Sequence, residues 1–172
     1  MQKMLKIGLF AATALYATPS FAQTSTASAS GSTTIVRPVT ITKNADLAFG
    51  KIIRPATGSS AVAMTDASDT VSADNGGFAV GTGTSRAKYT IDGEGGQVVA
   101  LTIPTEFDMT RSGGAETITV TLDADLGATT TLSSTLGNAG TKALNIGGSF
   151  SVPSTTVSGL YSGSFDVVVA YQ

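Results

Sequence analysis

The sequence predicts an all-β fold, either a sandwich or a barrel of antiparallel strands. Short runs in which apolar and polar residues alternate recur roughly every ten residues, between Gly-rich turns. Thr, Ser, Gly, Ala and Val dominate the composition, as in β-rich domains. Beyond the N-terminal stretch, no segment of useful length has apolar residues at helical spacing. Alternation on one face predicts antiparallel sheets that each have one solvated face.

Residues 1–22 have the features of a secretory signal peptide. Two lysines precede an apolar run over 7–17, and small residues mark a cleavage site between Ala22 and Gln23. The run is too short to span a bilayer, so we expect no membrane span after cleavage. The remaining residues, 23–172, suit a single domain with one core.

Charge and composition exclude several classes of function. The signal carries two of the ten basic residues and none of the twelve acidic ones, so the remainder has a net charge of −4. A weakly acidic chain without a basic cluster argues against nucleic-acid binding. The absence of Cys and His excludes disulfides, thiol catalysis, His-based metal sites and imidazole bases.

The first part of the mature chain is predicted to be a flexible extension followed by an edge strand. Residues 23–34 are polar, of low complexity and without apolar periodicity. Ile35, Val39 and Ile41 then share one parity, but Pro38 has no N–H to donate to a ladder. This favours the edge or the end of a strand.

The following strands are predicted from apolar residues at period two. Residues 65–77 are expected to be a polar connection ending in an Asn-Gly turn, and residues 129–137 a weak strand. The expected inward residues, in order, are Leu47 and Phe49 before a bend at Gly50; Val62 and Met64; Phe78 and Val80; Ala87, Tyr89 and Ile91; Val99, Leu101 and Ile103; Ile118, Val120 and Leu122; and Leu144, Ile146, Phe150 and Val152, with Gly148 on the same face.

The carboxylates do not form a recognisable catalytic or metal site. Asp66, Asp69 and Asp74 cluster in one loop, where calcium is conceivable, but turn formation is the favoured interpretation because Asp side chains bond the local backbone. Glu106 and Asp108 have no aromatic platform around them to suggest a sugar cleft. Since no nucleophile motif is present either, we predict no enzyme activity, no cofactor and no metal.

The C-terminal run GLYSGSFDVVVAYQ carries the most specific pattern. Gly159 is the fourteenth residue from the end, and Tyr171 is the penultimate residue. The residues Tyr161, Gly163, Phe165, Val167 and Val169 alternate between them. This run resembles the C-terminal motif of chaperone–usher pilin subunits. The stretch VRPVTITKNADLAFGKI resembles the opening of the "domain of unknown function 4402" family, and its L-x-F-G pattern is similar to spore-coat-U type archaic pilins.

The resemblance implies an immunoglobulin-like antiparallel sandwich over residues 42–172 that lacks its last strand. It implies that a periplasmic chaperone, and later the extension of another subunit, supplies that strand. The extension at 23–41 is then the candidate donor strand, with Ile35, Val39 and Ile41 as its apolar side chains. The chaperone- and subunit-binding residues would be Gly159, Tyr161, Phe165, Val167, Val169 and Tyr171. Gln172 would supply its main-chain carboxylate.

The resemblance also implies where the protein works and with what. It predicts a structural subunit of an extracellular fimbria on a Gram-negative bacterium, exported through the periplasm, with an outer-membrane usher and identical or related subunits as partners. Surface adhesion or biofilm formation would be its role. The alternative is a self-sufficient secreted or cell-surface β-sandwich that acts as a binding or coat protein, with a complete set of strands.

Overall fold

The computed structural model describes residues 23–172. The predicted signal peptide, 1–22, including Ala22 at the cleavage point, lies outside the described residues. Residues 23–34 are exposed and without regular structure, and Ile35–Gln172 form a separate compact unit of β-strands. The strands are β1 Thr40–Ala45, β2 Ala48–Ile53, β3 Ser59–Met64, β4 Val71–Ala73, β5 Phe78–Ser85, β6 Ala87–Glu94, β7 Val98–Thr102, β8 Glu106–Arg111, β9 Thr117–Ala124, β10 Thr129–Thr131, β11 Ala139–Pro153, β12 Tyr161–Ser162 and β13 Val168–Tyr171.

The strands form antiparallel sheets arranged as a sandwich, which confirms the predicted fold class. The largest sheet has the order β1-β6-β11-β9-β8-β12, and β3 joins it by pairing with β11 and β4. A second sheet has the order β10-β7-β13, and β2 pairs with β5 in a third. Within residues 23–172, no helix is long and apolar enough to cross a membrane.

The long strand β11 connects the two halves of the core. Its first half pairs with β6, and its second half pairs with β9 and β3. Gly147 lies at the change of partner, where an added Cβ would lie 2.2 Å from the carbonyl oxygen of Met64. The backbones therefore approach too closely for any side chain at this position, and a glycine is required.

Two clusters of buried side chains fill the sandwich. The first cluster contains Ala87, Ile91, Val99, Leu101, Leu132, Leu144 and Ile146. The second contains Phe49, Val62, Met64, Val71, Val120 and Val152. Phe150 packs edge-on against Phe49, with ring centroids 4.9 Å apart. The inward faces predicted for β6, β7 and β11 are confirmed, because their period-two residues belong to these clusters or pack against them.

Three local predictions need correction. The connection predicted at 65–77 contains β4, whose Val71 is 8% exposed and pairs with β3. The predicted turn at its end is present, since Asn75 and Gly76 both have positive φ. Phe78 is 63% exposed, whereas its neighbour Ala79 packs against the second cluster. The strand predicted at 129–137 is regular only over Thr129–Thr131. β4 and β10 have three residues each, too few to reveal an inward face by alternation. β5 has eight residues, but glycines at 81 and 83 interrupt its alternation.

Candidate functional site

The C-terminal segment is an edge strand that changes sheets midway. Its first part, β12, pairs with β8, and its second part, β13, pairs with β7. Residues 163–167 between them have no regular structure. The predicted alternation is visible in the burial: Tyr161, Phe165, Val167, Val169 and Tyr171 are each partly buried, while the residues between them are exposed. The last four of these pack against the first core cluster.

Both glycines of this segment lie where another group approaches closely. An added Cβ at Gly159 would lie 2.8 Å from the aliphatic stem of Arg111. An added Cβ at Gly163 would lie 2.2 Å from the carbonyl oxygen of Asp108. The glycines thus allow the C-terminal segment to lie flat against β8.

The Arg111 side chain is held in place over Gly159 by an ion pair. Its guanidinium donates two hydrogen bonds to Glu116, at 2.7 and 3.1 Å. The bond from Arg111 lowers the pKa of the Glu116 carboxyl below its usual value. This bidentate geometry fixes the arginine stem that covers the glycine.

A groove of about 680 Å³ lies between β2 and residues 156–163, which comprise β12 and the residues beside it. One wall is formed by β2 and the residues beside it, and the other by residues 156–163. Side chains from the sandwich interior form the floor. The floor residues are Phe107, Met109, Ile118, Phe150 and Val152. Among the described residues that line the groove, Arg54 alone carries a charge, and its guanidinium donates to the carbonyl of Thr156 at 2.5 Å.

The groove is bordered by two strand edges that have no partner within the described chain. β2 pairs with β5 along one edge, and β12 pairs with β8 along one edge. No strand in residues 23–172 pairs with the opposite edge of either one. A bulge at Gly50, where φ is +69°, changes the register of β2 within the groove wall. Unpaired N–H and C=O groups along an apolar trough can accept an additional strand.

The sandwich is closed near Tyr171 by the chain's own residues. The Tyr171 hydroxyl donates to the carbonyl of Arg37 at 2.8 Å and accepts from the N–H of Glu94 at 2.7 Å. Val39 and Ile41 pack against the first core cluster. Ile41 lies opposite Ile91 in the β1–β6 ladder.

The predicted boundary between extension and domain lies after residue 41. It falls inside β1, and the compact unit already begins at Ile35. Two of the three apolar residues assigned to the donor strand, Val39 and Ile41, contribute to their own domain, while Ile35 is 87% exposed. Gln172 is exposed, and its N–H donates to the carbonyl of Val98. A donor segment with free side chains is accordingly limited to residues 23–36.

Sequence reasoning did not identify several of the residues that line the groove. Ile53, 52% exposed, and Leu160, 71% exposed, lie on the two walls of the groove. Phe107 forms part of the floor and lies beside Phe165, with ring centroids 5.0 Å apart and ring planes tilted by 45°. The sequence pattern that came nearest to revealing the groove was the alternation over residues 47–49. It marks the inner face of the β2 wall, but it does not show that β2 has no second strand beside it.

Two of the three acidic residues considered for calcium accept hydrogen bonds at their carboxylates. Asp69 accepts hydrogen bonds from the side chain of Lys88 at 2.8 Å and from the N–H of Arg86. Asp74 accepts from the N–H of Ala61 at 2.6 Å. No group of three or more potential metal-ligating side chains occurs within residues 23–172. These bonds pin the connection between β3 and β5 to its neighbours.

Comparison with known families gives one match. The family model described as "Domain of unknown function (DUF4402)" matches residues 39–171, which covers the whole set of strands from the end of the extension to Tyr171. No curated protein and no solved structure matches the chain significantly.

Proposed function

The chain belongs to the DUF4402 family, and we propose that it is a structural subunit of an extracellular pilus or fimbria. Neighbouring subunits would be joined by strand exchange: the N-terminal extension of one copy fills the groove of the next. The observation that carries the proposal is the groove with apolar side chains at its floor, between two strand edges that have no partner within residues 23–172. The proposal involves no catalytic activity and no cofactor.

An added strand fits the groove chemically. Backbone groups on the free edges of β2 and β12 offer a ladder of hydrogen bonds, and the apolar floor offers pockets for every second side chain. Residues 23–36 carry no charged side chain, which suits a trough whose lining carries only one charge. Along this segment Ser or Thr occupies each even position from 24 to 34, whereas Ala27, Ala29 and Gly31 occupy odd positions. Such alternation presents one row of small side chains to a shallow floor.

Covering the groove would remove a measurable amount of apolar surface from water. Ile53, Val157 and Leu160 line it and are 52%, 43% and 71% exposed. Full burial of such side chains contributes about 1.5–3 kcal/mol each, so covering their exposed parts would contribute roughly 3–5 kcal/mol. This is a large fraction of the stability of a small domain, and it explains why a subunit of this kind would need a chaperone before assembly.

The same surface defines the expected partners. A periplasmic chaperone would lend a strand to the groove during export, and an outer-membrane usher would direct its replacement by the extension of the next subunit. The proposed location is the extracellular fimbria or cell surface of a Gram-negative bacterium, with adhesion or biofilm formation as the role. These partners follow from the strand-accepting groove and from the resemblance of the C-terminal motif to pilins.

The experiment is to delete residues 23–34 and examine the cell surface by electron microscopy. We expect fibres with the full-length chain and none with the deletion, while the chaperone still co-purifies with the shortened subunit. The matched control reverses the order of residues 23–33, which keeps the composition, the length and the odd positions of the Ala and Gly residues, and it should still form fibres. Unchanged fibres from the deletion variant would contradict the proposal.

A self-sufficient secreted β-sandwich is the second candidate. It is favoured by the closure around Tyr171, where Arg37, Val39 and Ile41 already cover one part of the core. This candidate predicts that residues 23–172, exported without any fimbrial chaperone, give a soluble and stable monomer. The pilin proposal predicts a low periplasmic yield in the same experiment, through degradation or aggregation, because the groove stays open; monomer for biophysical measurements is then obtained by refolding in vitro at low protein concentration.

A further inference from the structure

We propose that a clasp formed by Arg37, Glu94, Gly137 and Tyr171 sets how much of the sandwich can accept an added strand. While the clasp is closed, an added strand can bind only in the part of the groove beside β2. When the clasp opens, the strand-binding part extends along β13. This inference rests on the proposed function, since it concerns the regulation of the same groove. The clasp itself is a feature of the isolated chain and can be measured without any fibre.

Glu94 is the centre of the clasp. It is 3% exposed, which is unusual for a carboxylate and unfavourable unless its oxygens are satisfied. One oxygen accepts the N–H of Arg37 at 3.2 Å, and the other accepts the N–H of Gly137. The Arg37 Nε lies 3.9 Å from the same carboxylate. These donors lie 57 and 43 residues away in sequence, so the carboxylate ties the N-terminal segment to the turn before β11.

Tyr171 supplies the connection to the C-terminal strand. Its hydroxyl bridges the N–H of Glu94 and the carbonyl of Arg37, as described above. The phenol fits because residue 93 is a glycine: an added Cβ there would lie 2.5 Å from the hydroxyl oxygen and 2.8 Å from Leu132. The end of β13, the end of β6 and the segment before β1 are thus joined at one point.

This junction divides the edge of the C-terminal strand into two parts. Near Tyr171, the backbone of Arg37 is hydrogen-bonded to the Glu94 carboxylate and the Tyr171 hydroxyl, and Val39 packs against the first core cluster. Farther along, β12 faces the open groove and β2. β2 is six residues long, a length of about 20 Å, so the open part suits a strand of roughly six residues with three side chains inward.

Linkage then relates the clasp to strand binding. β1 lies close to β13 without pairing with it, and residues 37–39 lead directly into β1, so a strand long enough to pair with β13 as well as β12 would have to displace them. Its affinity is reduced by the free energy of the clasp, and weakening the clasp raises that affinity by the same factor. A strand confined to the open part has no such dependence.

The test uses the chain 23–172 with Glu94→Gln and Tyr171→Phe, each of which removes part of the clasp and keeps the side-chain size. Glu106→Gln is the matched control, because Glu106 is an exposed carboxylate on β8. Amide hydrogen exchange over residues 35–41 should rise roughly tenfold in Glu94→Gln and roughly fivefold in Tyr171→Phe. It should remain unchanged in Glu106→Gln. Unchanged exchange in both clasp variants overturns the proposal.

Two synthetic peptides then measure the effect on the groove. One has the sequence of residues 23–36, and the other has only residues 26–31. We expect the longer peptide to bind both clasp variants about five- to tenfold more tightly than the wild type, and the shorter one to bind all equally. Equal gains for both peptides, or for neither, overturn the gating role. If no peptide binds any variant while exchange still rises, the proposed strand-exchange function and the gating role fail together, and the clasp remains a structural contact. If Glu94→Gln does not fold, Tyr171→Phe decides.

Discussion

Replacement of Val167 by Asp tests whether the alternating face of the C-terminal segment supports the sandwich. Val167 is partly buried and packs against the first core cluster, whereas its neighbour Val168 is 56% exposed. Fully burying a valine contributes about 1.5–3 kcal/mol, so roughly 1 kcal/mol of apolar burial is lost at a partly buried site. Desolvation of the new carboxylate adds about 1–3 kcal/mol, which gives a total of roughly 2–4 kcal/mol.

The assay is thermal unfolding followed by circular dichroism, with Val168→Asp as the matched control. For a domain of this size, each kcal/mol shifts Tm by about 2–4 °C, so Val167→Asp should lower Tm by roughly 10 °C. Val168→Asp should change Tm by less than about 2 °C, because substitutions at exposed positions alter stability by about 0.5 kcal/mol or less. Equal effects at the two positions would show that the face assigned to the C-terminal segment is wrong.

Two further predictions follow from close contacts and charge. Gly163→Ala should weaken the pairing of β12 with β8 and lower Tm, since its methyl group would lie 2.2 Å from the Asp108 carbonyl oxygen. Gly127→Ala, whose methyl group would have nothing within 4 Å, should leave Tm unchanged. Equal Tm values for the two variants would refute the close contact at Gly163. The hydrogen bond from Lys88 lowers the pKa of the Asp69 carboxyl below its ordinary value of 3.8, so the stability it contributes is complete above pH 3.8 and is lost as the pH falls further. The difference in Tm between the wild type and Asp69→Asn should therefore be largest near neutral pH and vanish in acid, and a constant difference across this range would contradict the assignment.

The strands and their inward faces could be predicted because alternation is a local property. The runs that contain Leu144 and Ile146, or Val99 and Leu101, show their buried face within five or six residues. The same reasoning missed Val71, because a three-residue strand contains too little of the pattern. Its burial depends on pairing with β3, which the local sequence does not encode.

The candidate site was less accessible to sequence reasoning than the fold. The pattern from Tyr161 to Tyr171 indicated the importance of the C-terminal strand, and the glycines in it were explained only by the close approach of Arg111 and Asp108. The groove depends on which strand edges remain unpaired, and this is a property of the whole topology. The clasp joins residues as far apart as Arg37 and Tyr171, so no local pattern reveals it.

The central claim is that the extension of one copy lies in the groove of another, and engineered disulfides test it most directly. The chain contains no Cys, so introduced thiols have no native background. The first subunit carries a cysteine in the extension, introduced as Ala27→Cys or Ala29→Cys. The second subunit carries Ser162→Cys at the groove. In the control pairing, the second subunit instead carries Ala67→Cys, outside the groove. The two variants are co-expressed with the assembly partners, and surface fibres are separated without reductant. We predict that the extension cysteine forms a disulfide-linked dimer with Ser162→Cys and forms none with Ala67→Cys. A disulfide requires the Cα atoms of its two cysteines to lie within about 7 Å of each other. Equal yields at both positions, or no dimer in intact fibres with either extension variant, would contradict the claim.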